Sequence, residues 1–218
     1  MTTRVKICGI KTEPIMRAAL DAGADYVGLA FFAKSPRNVS LAQAAALAKI
    51  ARGKATIVAL VVDADDSLLE AIVRDVRPDL LQLHGSETPE RCAAVKARWL
   101  MPIMKAIGVG TAAEAARALD YVPVADLILF DAKPLPNSDL PGGNGAAFDW
   151  SVLESVAATR FPFMLGGGLT PANVAEAIRI TGAAAVDVST GVETAPGVKD
   201  ATLIRAFVDA AKTAHRAA

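Results

Sequence analysis

The 218-residue sequence predicts an α/β protein, a single-domain (β/α)8 barrel of the TIM-barrel type. Three observations predict it. Eight short runs of β-branched and aliphatic residues recur along the chain, eight Ala-rich amphipathic segments lie between them without a linker, and the glycine-rich loops come late. The domain is expected to span residues 1–218.

The eight apolar runs are predicted as parallel strands. Each is apolar on both of its alternating faces, which is typical of parallel strands covered by helices. The predicted strands are Val5–Cys8, Tyr26–Phe31, Ala55–Val62, Leu80–Leu83, Ile103–Ile107, Leu127–Phe130, Phe163–Leu165 and Ala185–Val188.

The segments between these runs are predicted as helices. Three of them have clear start signals: Ser40 precedes the second, and Thr-Pro pairs open two others at Thr88 and Thr170. The predicted helices are Glu13–Ala22, Leu41–Ala51, Ser67–Val76, Pro89–Ala97, Ala112–Leu119, Trp150–Ala157, Pro171–Ile180 and Ala201–Ala217.

An open doubly wound sheet is the competing architecture, because it also alternates strands and helices. That fold usually has fewer strands and carries its glycine-rich phosphate loop after the first one. Here the glycine-rich segments are Gly142–Gly145, Gly166–Gly168 and Gly191, after the predicted sixth, seventh and eighth strands. Phosphate sites after strands 7 and 8 are typical of barrels, so the barrel is favoured.

The composition argues against nucleic-acid-binding and membrane-spanning proteins. Lys and Arg number 23 and Asp and Glu number 23, so the basic excess expected of a nucleic-acid binder is absent. Hydrophobic residues make up 53%, enough for a large core, yet no apolar run is long enough to cross a membrane. The amino terminus lacks a signal-peptide core, and two cysteines suit a reducing compartment. We expect a soluble cytoplasmic protein without nucleic-acid or membrane partners.

Cys8 ends the first predicted strand and is followed by Gly9. A free cysteine is often only a small core hydrophobe. However, the carboxyl ends of the strands form the active-site rim of such a barrel, and this placement favours a thiolate acting as base or nucleophile. Cys92 lies inside the fourth predicted helix and is expected to be structural.

Asp131 follows four apolar residues at the end of the sixth predicted strand. Burying a carboxylate there is costly unless the group is paired or used. One interpretation is a cap or an ion pair with Lys133 or Lys105. The other is chemical, since Cys8 and Asp131 can face each other across the barrel mouth as base and acid.

Two late segments resemble a phosphate cradle. Each ends a strand and exposes backbone N–H groups, and the first is predicted to open directly into a helix. A single glycine run can be a simple turn, but two on neighbouring strands favour a shared anion site. The candidate residues are Gly166, Gly167, Gly168, Ser189, Thr190 and Gly191.

Arg37 follows Pro36 on the long loop after the second strand. Taken alone it would be a solvated charge, but beside a site it is a planar fork suited to a carboxylate. Metal chemistry has little support, because the two histidines, His84 and His215, form no cluster and the cysteines no pair. Neither a Walker motif nor a dinucleotide fingerprint occurs.

Eight ordered blocks at the strand ends resemble the phosphoribosylanthranilate isomerase family of tryptophan biosynthesis. The blocks are KICGI, SPRNVS, LQLHG, MKAI, FDAK, LPGGNGAAFDW, LGGGLTPANV and VDVSTGVETAPGVKD, and they extend from Lys6 to Asp200. The resemblance implies a (β/α)8 barrel that converts N-(5-phosphoribosyl)anthranilate to 1-(2-carboxyphenylamino)-1-deoxyribulose 5-phosphate by an Amadori rearrangement, without a cofactor or metal. It leaves open whether the chain is a monomer or a homodimer.

The resemblance also assigns roles to individual residues. It implies Cys8 as the general base, Asp131 as the general acid and Arg37 as the group that binds the anthranilate carboxylate. The sixth-strand loop, with Gly143, Asn144 and Gly145, is implied as a substrate-binding segment, although many members have Thr in place of Asn144. The Gly166–Gly168 and Ser189–Gly191 segments match the phosphate loops, with Thr190 where many members have Ser.

Three alternatives share the late glycine loops. An indole-glycerol-phosphate synthase would need a catalytic lysine with partner glutamates, and a pentose-phosphate epimerase would need metal-binding histidines; neither pattern is present. A catalytically silent phosphosugar-binding protein would keep the phosphate cradle alone. Cys8 and Asp131 together argue against that third alternative.

Overall fold

The computed structural model describes residues 2–133, 148–153 and 161–214. Eight parallel strands close a barrel in chain order, each paired with its sequence neighbours and the last with the first. They are β1 (Arg4–Cys8), β2 (Tyr26–Phe31), β3 (Thr56–Val61), β4 (Leu80–Leu83), β5 (Ile103–Val109), β6 (Leu127–Ala132), β7 (Phe163–Leu165) and β8 (Ala185–Val188). The predicted barrel is confirmed, and the open sheet is excluded by its closure.

The helices lie close to their predicted ranges. The α-helices span Glu13–Asp21, Leu41–Ala51, Asp66–Asp75, Pro89–Trp99, Ala112–Ala116, Val174–Thr181 and Ala201–Thr213, and short 3₁₀ helices span Arg117–Asp120, Trp150–Leu153 and Thr190–Val192. The predicted helix from Trp150 to Ala157 is thus a 3₁₀ turn as far as Leu153, and its remainder lies outside the described residues.

One predicted helix start is wrong. The helix after β7 begins at Val174 rather than at Pro171. The Asn173 side chain accepts a hydrogen bond from the Thr170 N–H at 2.8 Å and donates one to the Gly168 carbonyl at 3.1 Å. This local folding gives the backbone an alternative to a first helical turn. The glycine loop therefore does not open directly into the helix.

A two-stranded hairpin after β8 was not predicted. It pairs β9 (Glu193–Ala195) with β10 (Val198–Lys199), and the turn contains Gly197 at φ +76°. Its strands are two or three residues long, too short for the apolar alternation that predicts a strand.

Side chains alternate between two cores. Inside the barrel lie Tyr26, Val58, Leu80, Met104, Ala106, Leu127, Leu129, Met164 and Ala185, while a larger cluster fills the layer between strands and helices. Because neighbouring residues of a strand point to opposite faces, every second residue at a strand end points into the barrel mouth. This alternation places the site described below.

Three aspartates fasten the strands in pairs at the opposite, amino-terminal end. Each directly precedes an even-numbered strand, and its carboxylate accepts the N–H of the residue in register on the preceding strand at 2.8 Å. The backbone N–H of the same aspartate donates back to that residue's carbonyl, also at 2.8 Å. The pairs are Asp25 with Val5, Asp79 with Ile57, and Asp126 with Ile103. We call these contacts the aspartate clamps.

Within the described ranges, we find no helix with the length and apolar character needed to cross a membrane.

Candidate active site

An open pocket lies at the carboxyl ends of the strands. Its position is that of barrel active sites. Both polar and apolar residues line the pocket. The lining residues are Cys8, Gly9, Ala30, Phe32, Ser35, Arg37, Leu60, Val62, His84, Asp131, Gly167, Gly168, Leu169, Asp187, Val188, Ser189, Thr190 and Gly191.

Cys8 and Asp131 line the same pocket, as the sequence predicted. Cys8 is 5% exposed, and its Sγ lies so close to Gly28 that a Cβ there would approach it to 2.9 Å. Burial raises the pKa of the Cys8 thiol above its ordinary value, while the positive charge of Lys6 works against that shift. The thiol is therefore protonated in most molecules at neutral pH.

Lys6 lies two residues before Cys8 on β1, on the face that points into the barrel. It is fully buried, and its Nζ donates to Asp187 Oδ1 at 3.0 Å. Burial works to lower the pKa of Lys6, but the negative charge of Asp187 and the neighbouring Cys8 outweigh it, so the pKa is raised. A charged ammonium thus lies beneath the candidate base, where it favours a thiolate.

Asp131 is paired with an imidazole. His84 Nε2 lies 3.2 Å from Asp131 Oδ2, and His84 Nδ1 lies 2.9 Å from Gln82 Nε2. With the Gln82 amide donating, His84 carries its proton on Nε2 and donates it to the carboxylate. Asp131 Oδ1 accepts from the backbone N–H of Ala132 at 2.9 Å. Both carboxylate oxygens are thus oriented by fixed partners.

Neither lysine considered as an ion-pair partner of Asp131 has that role. Lys133 pairs with Glu114 at 2.6 Å on the surface. Lys105 pairs with Glu87 at 2.7 Å, donates to the carbonyls of Leu83 and Gly85, and does not line the pocket. The interpretation of Asp131 as a partner of Lys105 or Lys133 is wrong.

Arg37 lies at the pocket wall with its guanidinium already in an ion pair. Its Nε and Nη2 donate to the two carboxylate oxygens of Glu193, each at 2.8 Å. Gly9, at φ +79°, makes the space for this side chain, because a Cβ there would lie 2.6 Å from Arg37 Cδ. Arg37 is therefore not a solvated surface charge.

The two glycine loops after β7 and β8 are in direct contact. A Cβ on Gly191 would collide with the Leu169 carbonyl oxygen, and one on Gly167, at φ +79°, would collide with the Ala132 nitrogen. Side chains cannot be accommodated at either position, so the backbones form the pocket wall themselves. Lys199 lies under the second loop, its Nζ donating to the Ser189 carbonyl at 3.2 Å.

Part of the predicted site falls in segments without a described placement. Gly143, Asn144 and Gly145 belong to residues 134–147, which lie outside the described residues, as does His215. Among the residues that are described, no group of three or more His, Cys, Asp or Glu side chains has the arrangement of a metal site.

The family model described as N-(5'phosphoribosyl)anthranilate (PRA) isomerase matches residues 5–210. The chain belongs to this family. Relatives named N-(5'-phosphoribosyl)anthranilate isomerase include one from Rhodopseudomonas palustris (strain BisA53), 56% identical and covering 99% of both chains. Another, from Paramagnetospirillum magneticum, is 55% identical over 97% of this chain and 98% of the relative. As a phosphoribosylanthranilate isomerase, the chain is an enzyme of tryptophan biosynthesis.

Solved isomerase structures have the same architecture. The phosphoribosyl anthranilate isomerase of Thermotoga maritima is 34% identical, with a TM-score of 0.87 over 96% of this chain and 98% of that one. A second isomerase structure, in complex with reduced 1-(o-carboxyphenylamino)-1-deoxyribulose 5-phosphate, has a TM-score of 0.84 and the same identity and coverage.

Three residues at this site, Lys6, His84 and Glu193, have no role in the sequence-based prediction. Lys6 could have been predicted as a neighbour of Cys8, because a residue two positions earlier on a strand points to the same face. His84 was seen at a strand end, but its pairing with Asp131 joins residues 47 positions apart. Glu193 lies 156 positions from Arg37, and no local pattern links them.

Proposed function

We propose that the isomerisation of N-(5-phosphoribosyl)anthranilate is carried out by Cys8 as general base and Asp131 as general acid. The observation that carries this proposal is that both side chains line one pocket at the catalytic end of the barrel, beside two loops whose backbone forms the wall. Each group also has a polar or charged neighbour: Lys6 favours the thiolate of Cys8, and His84 orients the carboxyl group of Asp131.

Asp131 and Cys8 carry out two successive proton transfers, and a tautomerisation completes the reaction. Asp131, when protonated, donates to the ribose ring oxygen, the C1′–O bond breaks, and the anthranilate nitrogen forms a protonated Schiff base. The Cys8 thiolate then removes the C2′ proton, and the electron pair moves towards the iminium nitrogen to give an enolamine. Tautomerisation of the enolamine yields the ketone. The protonated Schiff base is the electron sink, so neither stage requires a metal ion.

Three parts of the pocket match three parts of the substrate. We assign the phosphate to the backbone of the Gly166–Gly168 and Ser189–Gly191 loops. The aromatic ring is assigned to the apolar wall around Phe32, Leu60 and Val62, next to Arg37, which would bind the ring's carboxylate. The segment with Gly143, Asn144 and Gly145 is proposed to complete the substrate contacts.

Turnover of freshly prepared phosphoribosylanthranilate, followed by loss of its fluorescence, tests the proposal. Cys8→Ala should lose nearly all turnover while still binding a product analogue and unfolding at the wild-type temperature. Cys92→Ala, which removes the other buried thiol, is the matched control and should keep its turnover. A Cys8→Ala enzyme with a near-normal kcat would overturn the assignment of the base.

The expected partners stay proposals. We propose a small phosphorylated substrate, no nucleic-acid partner and a cytoplasmic location; the neutral net charge and the pocket at the barrel mouth support the first two. The Thermotoga maritima isomerase is described as dimeric; for this chain we propose a monomer or homodimer, which light scattering of the purified protein distinguishes.

A further inference from the structure

We propose that Glu193 is a positioning residue for Arg37: it holds the guanidinium in the orientation that recognises the substrate carboxylate. The inference rests on the proposed function, in which Arg37 binds that carboxylate. Glu193 does not line the pocket, so it acts through Arg37 rather than on the substrate.

The contact between the two residues fixes the plane of the guanidinium. Nε and Nη2 of Arg37 each donate at 2.8 Å to a different carboxylate oxygen, with the side chains 8% and 2% exposed. A guanidinium has five N–H donors, so about three remain for a ligand at the pocket wall. Because Glu193 holds Nε and Nη2, the remaining N–H donors of the planar guanidinium point in one fixed direction.

Glu193 is itself held from the other side. Its carboxylate accepts from Lys199 Nζ at 3.0 Å and from the Gly197 N–H at 3.1 Å, both from the hairpin of β9 and β10. Gly197 fits directly against the loop that carries Arg37, because a Cβ there would lie 2.6 Å from the Pro36 carbonyl oxygen. Glu193 therefore need not move when Arg37 takes a second partner.

The cluster of Arg37, Lys199 and Glu193 has a surplus of positive charge when Lys199 is protonated. Arg37 and Lys199 are then cations and Glu193 is an anion, and a substrate carboxylate would neutralise the remaining charge. Burial lowers the pKa of Lys199, although the negative charge of Glu193 works against that shift. Burial also opposes ionisation of Glu193, but the hydrogen bonds and charges of Arg37 and Lys199 outweigh it and lower the pKa of Glu193 to about 2. Glu193 is therefore ionised at neutral pH and keeps both of its hydrogen bonds from Arg37.

Two ligands distinguish a loss of Arg37 positioning from a general disturbance of the pocket. One is reduced 1-(o-carboxyphenylamino)-1-deoxyribulose 5-phosphate, and the other is the same molecule without the ring carboxylate. Their Kd values are measured by calorimetry for wild type, Glu193→Gln, Arg37→Ala and the double variant. We expect Glu193→Gln to weaken the carboxylate ligand by about tenfold or more and the other by less than about threefold. In the Arg37→Ala background, Glu193→Gln should have no further effect.

The matched control is Glu87→Gln. Glu87 is an equally buried carboxylate that accepts from a lysine and two backbone N–H groups, but it lies outside the pocket. Its substitution should lower the unfolding temperature without changing discrimination between the two ligands. If Glu193→Gln does not fold, Glu193→Gln with Lys199→Met removes the surplus buried cation and allows the same comparison, with Lys199→Met as its reference.

The results distinguish failure of the Glu193 inference from failure of the proposed role of Arg37. Equal weakening of both ligands by Glu193→Gln would show a purely structural role, and tighter binding of the carboxylate ligand would show that Glu193 competes for Arg37; either overturns the inference. If Arg37→Ala itself does not discriminate between the ligands, the carboxylate role of Arg37 fails instead. In that case Arg37 and Glu193 form only a structural ion pair.

Discussion

Cys8, the proposed base, lies in a place that disfavours its charged form. Burial raises the pKa of its thiol, and Lys6, which Asp187 keeps charged, partly offsets the shift. A thiol with a raised pKa is ionised less often, but its thiolate is a stronger base. This balance differs from that of a nucleophilic cysteine, whose pKa is lowered so that most of it is thiolate at neutral pH.

The first prediction concerns the reactivity of the two cysteines. The rate of Cys8 alkylation by iodoacetamide should rise about tenfold per pH unit from pH 7 to 8.5 without a plateau, because the thiolate fraction is still small there. Mass spectrometry of the modified peptides measures it. Cys92 should stay unmodified, since it has no exposed surface and burial raises its pKa to about 11. A rate that is already constant below pH 7 would contradict the raised pKa.

The second prediction concerns Asp131. Asp131→Asn keeps the shape and the oxygen that accepts from Ala132, loses the acceptor for His84 and cannot deliver a proton, so kcat should fall by at least ~10²-fold. Single-turnover fluorescence measures the chemical step. Binding of the reduced product analogue should change little, because the amide still fits the same space. A kcat within a few-fold of wild type would move the proton donor elsewhere.

The aspartate clamps show how local hydrogen bonds build the barrel at the scale of its elements. Three of the four odd–even strand pairs have a clamp. In the fourth pair, β7 with β8, the corresponding position is Ala184, in register with Phe163 and exposed. The clamp is therefore an addition to the strand pairing and not a requirement for it.

The third prediction concerns a variant that adds an aspartate clamp to the β7–β8 pair. Ala184→Asp should accept the Phe163 N–H and raise the free energy of unfolding by about 0.5–1.5 kcal/mol. Urea denaturation measures the change. Ala184→Glu brings the same charge on a longer side chain and is the control. If the two variants are equally stable, the gain comes from charge rather than from the clamp geometry.

The sequence predicted the elements best where one local pattern determines them. All eight strands are predicted correctly because each is a short run of mainly apolar residues. The helix starts at Ser40 and Thr88 are correct because each hydroxyl accepts the N–H three residues on. The start at Pro171 failed since Asn173 competes for the backbone of that turn. The hairpin of β9 and β10 packs against Pro36, a contact between distant parts of the chain that no short segment encodes.

At the scale of the whole molecule, the same distinction applies to the site. Knowledge of the fold was enough to bring Cys8 and Asp131 into one pocket, because every strand end of a barrel faces the same mouth. The polar contacts that orient the site join β1 to β8, the residue after β4 to β6, and the loop after β2 to the hairpin. Those pairings depend on side-chain geometry across the closed ring, so the sequence pattern did not predict them.

The fourth prediction concerns acid stability. Because the pKa of Glu193 is lowered to about 2 from 4.5, its ionisation contributes to stability above pH 4.5, and that contribution is lost as the pH falls towards 2. The pH-dependent part of the stability difference between wild type and Glu193→Gln should therefore be about 3 kcal/mol. Denaturant titrations between pH 2.5 and pH 7 measure it. Glu13→Gln, in an exposed pair with Arg17, should show almost none.

The clamps also mark where the chain can be divided. Each one closes a module of two successive strands, so a break between β2 and β3 or between β4 and β5 leaves every clamp within one piece, whereas a break between β3 and β4 separates Asp79 from Ile57. A half-barrel ending after β4 keeps two clamps, and its complement keeps one. Split enzymes and chimaeras with related barrels should therefore reassemble best when their boundaries follow an even-numbered strand, and this barrel can be exchanged in pairs of strands rather than singly.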